Sequence, residues 1–250
     1  MITLKSSHEI DLMRRAGKIT AAARALAGEM VRPGVTTQEI DSAVEHFIRK
    51  QGAVPSFYNY CGYPASVCIS VNDEVIHGIP GKRVLKEGDI VSVDVGAVVD
   101  GFHGDCAATF ACGTISKEAQ DLIDVTRQSF FEGIKQAKEG RRLFDISAAI
   151  QTYAESHGYS IVREFVGHGI GRQLHEEPEV PNYYPDRRGP RLLRGMTLAI
   201  EPMVNAGAAA IRVLPDGWTV KTLDGKLSAH YENTVLITDG EPEILTAPAI

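Results

Sequence analysis

The residues able to do chemistry fall in a few short stretches, and the densest runs from Ile90 to Phe110: I-V-S-V-D-V-G-A-V-V-D-G-F-H-G-D-C-A-A-T-F. It reads as two β-strands joined at Asp100-Gly101, a dipeptide suited to a two-residue hairpin turn. That register sets Val99 against Phe102, Gly96 against Asp105 and Asp94 against Ala107. Because side chains alternate along a strand, Asp94, Gly96 and Asp105 share one face. The two carboxylates are then diagonal neighbours, roughly 7–8 Å apart at the backbone. Gly96 is expected to leave open space beside Asp105, while Val91, Val93, Val95 and Cys106 form a core face. Either aspartate alone fits a loop cap or a solvated edge. The pair on one face of an apolar hairpin repels and loses hydration unless a cation lies between them.

Further acids and imidazoles lie outside the hairpin. Glu201 ends the strand-like run M-T-L-A-I-E, and Pro202 holds it extended. Glu232 sits in H-Y-E-N-T-V-L-I-T beside a strongly apolar run, and His168 sits between glycines in F-V-G-H-G-I-G. His175 follows in R-Q-L-H-E-E-P, and His77 occupies a strand end in N-D-E-V-I-H-G-I-P-G. Taken singly, a strand-end Glu is a rim residue and a Gly-flanked His a turn residue. G-H-G-I-G lacks the G-x-G-x-x-G spacing of a nucleotide loop, and neither H-E-x-x-H nor G-x-S-x-G occurs. Taken together, Asp94, Asp105, His168, Glu201 and Glu232 make an oxygen-rich set with one imidazole. Four carboxylates in one pocket call for about two divalent cations, and the donor types suit Mn, Fe, Co or Zn rather than a structural Cys/His zinc site. Such a pair of ions generates hydroxide near neutral pH and polarises a carbonyl, which is hydrolytic chemistry.

The elements that must position these groups are legible in outline. Glu9 to about Glu29 has helical spacing, with Ser6 or Ser7 as its cap and Val31-Arg32-Pro33-Gly34 as its stop. Thr37 opens a second helix from Gln38 to Lys50, ended by Gly52. Tyr58 to Pro64 is an aromatic loop and Ser66 to Val71 a short strand. Lys117 to Lys138 and Leu143 to His157 read as two more helices, followed by short strands and loops. The segment Asn182 to Arg191 is Pro- and Arg-rich and reads as a surface loop.

An internal repeat orders these elements. Gly34 to Gly52 and Gly140 to Gly158 each span 18 residues, with Ile40 and Ile146 six residues after the first glycine. Gly88 precedes Asp94 by six and Gly195 precedes Glu201 by six. The offsets are 106 and 107, in the same order, so each half is helix–helix–strands and carries one acid at the same place. This predicts one α+β catalytic domain over residues 1–250, with halves of about 8–112 and 113–245 and a central antiparallel sheet backed by helices.

Composition sets bounds. The chain has 250 residues, 44% hydrophobic and 23% charged, with a net charge of −6, which disfavours a broad nucleic-acid surface. The N-terminus is charged throughout without an apolar leader, and no run of about 18 apolar residues occurs. Cys61, Cys68, Cys106 and Cys112 form no C-x-x-C pair, so reduced thiols and a cytoplasmic setting are expected.

The order and context of D-V-G, F-H-G-D, G-H-G-I-G, I-E-P and Y-E-N-T resemble the type I methionine aminopeptidases, of pita-bread fold, from about His8 to Leu245. The stretch S-V-C-I-S-V-N-D-E-V-I-H-G-I-P is similar as well. There is no N-terminal zinc-binding extension and no long insertion in the C-terminal half, as in the short type I form. The resemblance implies two divalent ions held by Asp94, Asp105, His168, Glu201 and Glu232, with Glu201 also relaying the proton of the attacking water. It implies that His175 meets the scissile carbonyl or the tetrahedral intermediate, and His77 the scissile amide or the next residue. It also implies that Tyr60, Tyr63, Cys68, Leu174 and Trp218 form the methionine pocket. Phe57 stands where a cysteine is common in that family and Leu174 where an aromatic is common. The implied substrates are N-termini of nascent polypeptides, met at the ribosome by a monomer without direct nucleic-acid or membrane contact. A prolidase or X-Pro aminopeptidase is the enzymatic alternative, although the long N-terminal domain that it would require is missing from this sequence. A non-catalytic binding protein of the same fold is the other, and it should have lost metal ligands.

Overall fold

The computed structural model describes residues 1–247; residues 248–250, which the expected catalytic domain includes, lie outside the described residues. Helix formation follows local chemistry. The first helix, α1 (Ser7–Met30), is opened by Ser6, whose hydroxyl accepts from the Glu9 N–H while the Glu9 carboxylate accepts from the Ser6 N–H. The second, α2 (Thr37–Lys50), starts one residue earlier than the sequence suggested, because Thr36, not Thr37, is the cap. Glu39 stands three residues after Thr36 and closes the reciprocal pair of hydrogen bonds. The third helix, α3 (Lys117–Ile134), stops short of the expected Lys138. Its last backbone bonds tighten there, with Gln136 N–H donating to Gly133 and Ala137 N–H to Ile134. The fourth, α4 (Leu143–Ser156), ends one residue before the expected His157.

The hairpin strands Ile90–Val99 and Phe102–Ala111 pair in the register read from the sequence, Asp94 with Ala107 and Gly96 with Asp105. Asp100 and Gly101 both take positive φ, 49° and 79°, the left-handed pair that matches the strand twist in a tight hairpin. On its other edge the strand Ile90–Val99 accepts Val67–Val71, which places Cys68 opposite Asp94. Val91, Val93 and Val95 are fully buried against α1 and α2 residues including Ala16, Ala23, Ile40 and Val44.

The second half repeats this plan. Its sheet runs in the order Glu243–Ile244, Asn233–Leu236, Thr197–Ile200, Gly167–Gly169, Glu176–Val180, every neighbour antiparallel. Leu198, Ile200 and Val235 pack with Leu122 and Phe130 of α3 and Leu143, Ile146 and Ile150 of α4. The repeated glycines mark repeated turns: Gly34 and Gly140 have φ of 92° and 83°, Gly88 and Gly195 of 91° and 88°. A side chain at any of these positions would have to enter the left-handed region.

The two sheets meet along a seam. Glu232 N–H donates to Ala107 O at 2.9 Å, and Ala107 N–H to Glu232 O at 3.3 Å. On one side the Thr234 hydroxyl accepts from Asp105 N–H and donates to Asp105 O. On the other the Thr109 hydroxyl does the same for His230. The seam therefore has a local two-fold that exchanges Thr109 with Thr234 and Asp105 with His230. Behind it the Arg24 guanidinium of α1 donates to Ala107 O, Glu232 O and Asn233 Oδ1. Among the described residues no helix is long and apolar enough to cross a membrane.

Candidate metal centre and adjoining pocket

The seam is also where the acids gather. Asp105 projects beside it with its main chain clamped by Thr234, and Asp94 lies diagonal to Asp105 on the same hairpin face. Gly96 does not leave an open space here, contrary to expectation. A Cβ at Gly96 would come within 2.7 Å of Ser56 and 2.9 Å of Phe57, so these residues fill the room beside Asp105.

Glu201 directly follows the strand Thr197–Ile200, and Glu232 directly precedes Asn233–Leu236. Asn233 pairs with Ile200, so one further step of the same register sets Glu232 opposite Glu201. Asn182 fixes the turn, donating from Nδ2 to Glu201 O at 3.0 Å. Asn182 is fully buried, which corrects the sequence reading of Asn182–Arg191 as wholly a surface loop; the chain emerges only after it.

His168 enters from the central strand, paired with Ala199. Side chains on its flanking glycines would strike backbone oxygens, Ala199 O at 2.4 Å from Gly167 and Glu177 O at 2.2 Å from Gly169. Its Nδ1 lies 2.8 Å from Gly169 O and so carries the proton, leaving the Nε2 lone pair facing Glu201 Oε1 at 3.5 Å and Asp105 Oδ2 at 3.9 Å. Burial, with His175 adding to it, pushes the His168 imidazolium down to about 3, so the ring is neutral. A neutral imidazole with its second nitrogen held by a carbonyl is the usual arrangement of a metal ligand.

Burial raises all four carboxyl groups. For Asp105 and Glu232, repulsion from the neighbouring acids adds to it. Asp94 is raised by burial and by Glu201, partly offset by His230, and Glu201 is raised by burial. Among the described residues no Lys or Arg pairs with any of them, and the nearby Arg24 is engaged by main-chain oxygens instead. Asp94 Oδ1, Asp105 Oδ1, Glu232 Oε1 and His230 Nε2 are buried without a hydrogen-bond partner. Such orphans are costly unless something else satisfies them. Two overlapping groups, Asp105–His168–Glu232 and Glu201–His230–Glu232, bring their donor atoms within 4.8 Å of one another. Divalent cations fit this donor set and would satisfy the orphaned atoms.

One cavity adjoins these groups, and Asp94, Asp105, His168, Glu201, Glu232, His77, His175, Tyr60, Tyr63, Cys68, Leu174, Trp218 and Phe57 all line it. Tyr60 Oη lies 2.7 Å from His175 Nδ1, and the His175 ring sits 4.2 Å from that of His168. Tyr63 uses its hydroxyl on Val67 O and Gly78 O, so its ring face is what remains for a ligand, edge-on to Trp218. His77 has a left-handed φ of 58°, and Gly78 behind it packs so closely that a Cβ would stand 2.2 Å from Ile69 O. Burial pushes His77 down to about 4. The Cys68 thiol is pushed well above its usual range, again by burial, and stays uncharged.

Sequence reasoning did not single out His230, Asn182, Arg24 or the threonines of the seam. For His230 a signal existed: it stands two residues before Glu232, the strand spacing that puts two side chains on one face. The others act through long-range contacts that leave no local pattern.

A buried cluster of acids and imidazoles at the junction of two antiparallel sheets has the makings of a metal-dependent hydrolase. A family model described as metallopeptidase family M24 matches residues 11–239, and the chain belongs to that family. It is 59% identical over 246 residues to a methionine aminopeptidase of Clostridium perfringens, covering 98% of this chain and 99% of the relative. The crystal structure of methionine aminopeptidase from Thermotoga maritima superposes with a TM-score of 0.97 at 46% identity, covering 98% and 99% of the two chains. The prolidase of Pyrococcus furiosus shares the fold at 22% identity, with a TM-score of 0.81 over 99% of this chain and 66% of its own. The architecture is the expected pita-bread fold.

Proposed function

We infer that the protein is a methionine aminopeptidase, a hydrolase that releases the N-terminal methionine of peptides and nascent proteins. The observation that carries this reading is that a single cavity joins the buried acid cluster to an apolar pocket built of Tyr60, Tyr63, Cys68, Leu174 and Trp218. That pocket offers ring faces and an uncharged sulfur, surroundings that suit a flexible thioether. The chain acts as one catalytic domain in the cytoplasm, each half supplying part of the cluster.

Asp94, Asp105, His168, Glu201 and Glu232 would hold two divalent ions, from among Co, Mn, Fe and Zn. Bound there, the ions supply an acidified water and a polarised carbonyl. The remaining work falls to the protein. Glu201, its side chain largely buried at the edge of the cluster and kept charged by the ions, takes the proton of the attacking water and returns it to the leaving amine. His175 Nδ1 lies 2.7 Å from the Tyr60 hydroxyl, and with that hydroxyl donating the ring carries its proton on Nε2. Burial keeps the ring neutral. It therefore donates to the oxygen on which charge develops. His77, also neutral and flanked by Phe165 and Trp218, meets the scissile amide or the residue beyond it. The acids beside the pocket attract the substrate's free α-amine, which restricts cleavage to the first residue. A small second residue is the one preferred.

Metal-stripped protein should hydrolyse Met-Ala-Ser only when Mn(II) or Co(II) is restored, and should leave Leu-Ala-Ser nearly untouched. Preference for Met-Pro would instead place the chain with the prolidases. Stoichiometric metal binding without release of methionine would refute the enzymatic reading.

A further inference from the structure

We propose that His230 is a ligand of the metal centre, donating through Nε2 to one of the two ions together with Glu201 and Glu232. The inference rests on the two-ion reading above and adds a donor to it.

The geometry has three parts. First, His230 is 1% exposed, and its Nε2 is buried with no hydrogen-bond partner. The atom faces Glu201 Oε2 at 3.6 Å, too far for a hydrogen bond and suitable for two donors sharing one cation. Donor atoms of Glu201, His230 and Glu232 all lie within 4.8 Å of each other. Imidazole and carboxylate ligands bind first-row ions at about 2.0–2.2 Å, so His230 Nε2 and Glu201 Oε2, 3.6 Å apart, can share one ion, and Glu232 joins them by a small movement of its side chain.

Second, the main chain of His230 is locked. Its N–H donates to Thr109 Oγ1 at 2.9 Å, its carbonyl accepts from the same hydroxyl at 3.0 Å, and Met203 pairs with it across the strand. The position from which the side chain leaves the backbone is thus fixed by the seam and does not depend on the carboxylates.

Third, the local two-fold of the seam relates His230 to Asp105. Each flanks the Ala107–Glu232 pair, and each is held by a threonine of the opposite half. Asp105 joins His168 and Glu232 in one donor group; His230 joins Glu201 and Glu232 in the other. Glu232 lies in both, and each group then has its own imidazole, His168 in one and His230 in the other.

The test uses the full-length protein loaded with Co(II). Ligated imidazoles give strongly shifted, exchangeable N–H resonances in the proton NMR spectrum, and calorimetry counts the ions. The expected result is two such resonances in the unaltered protein, one lost in His168→Ala and the other in His230→Leu. His230→Leu should also weaken one of two equivalents by more than about tenfold and leave the other. A single resonance in the unaltered protein, or two equivalents held unchanged in His230→Leu, would overturn the assignment while leaving the two-ion reading intact. Fewer than two ions in the unaltered protein would overturn both. His230→Gln keeps a polar side chain at this buried position, and loss of the same resonance there excludes misfolding of the leucine variant as the cause.

Discussion

At the scale of single residues, protonation states follow from hydrogen bonds that sequence spacing does not reveal. Tyr60 and His175 are 115 positions apart, yet the Tyr60 hydroxyl stands 2.7 Å from His175 Nδ1, and by donating there it would leave the ring proton on Nε2. Tyr60→Phe keeps the ring in the pocket and removes the donor. Loss of about 1 kcal/mol of orientation corresponds to roughly a fivefold drop in rate. We expect that drop in kcat, with KM and metal content little changed; a KM effect alone would make Tyr60 a pocket residue only. Glu201→Gln should be more severe, lowering kcat by about 10²–10⁴ because a positioned base is lost while the side chain keeps its shape. Full activity at equal metal content would remove Glu201 from that role. The acids themselves were legible because alternation and the Asp100-Gly101 turn fix which face Asp94 and Asp105 occupy. The Asn182 contact to Glu201 was not, since a Pro-rich segment carries no periodicity from which burial could be read.

At the scale of elements, the helices were readable because their signals are local: Ser6 with Glu9, Thr36 with Glu39, and an apolar stripe behind each. The short strands of the second half gave less, since strands such as Gly167–Gly169 are too brief for alternation to register. The seam gave nothing, because a hydroxyl standing in for a ladder bond looks in sequence like any threonine. Yet the seam joins the sheet that carries the two aspartates to the one that carries His168 and the two glutamates. Thr234→Val has nearly the same shape and leaves both polar groups of Asp105 without their partner. An unsatisfied buried group costs about 1–3 kcal/mol, and the variant should be destabilised by at least that much in denaturant titrations. Thr234→Ser restores the hydroxyl and should recover most of the loss. Equal stability of the valine and serine variants would mean that the Thr234 hydroxyl contributes nothing to holding the halves together.

For the whole molecule, the cluster makes folding depend on pH and on metal together. The buried carboxyls of Asp94, Asp105, Glu201 and Glu232 are raised above their ordinary range. Without metal, the folded state therefore holds protons that the unfolded chain has already released. A raised acid contributes stability that is present at low pH and is lost as pH climbs through its folded value. The imidazoles of His77, His168, His175 and His230 are lowered by burial and act in the opposite sense. Their effect is confined to pH below the ordinary histidine value of 6.5, since above it they are neutral in both states. From about pH 6.5 to about pH 7.5, below the range in which unfolded thiols ionise (ordinary value 9.0), only the acids remain, so the melting temperature of metal-stripped protein should fall as pH rises. Each kcal/mol lost moves it by roughly 2–4 °C in a chain of this size. Divalent ions favour the charged carboxylates, so Mn(II) should abolish the fall and raise the melting temperature more at the alkaline end, where protons no longer compete for the ligands. Scanning calorimetry of stripped and reloaded protein across that window decides the matter. A stripped protein whose melting temperature stays level or rises would mean that the four acids do not share one buried cluster, and the two-ion centre would lose its physical basis.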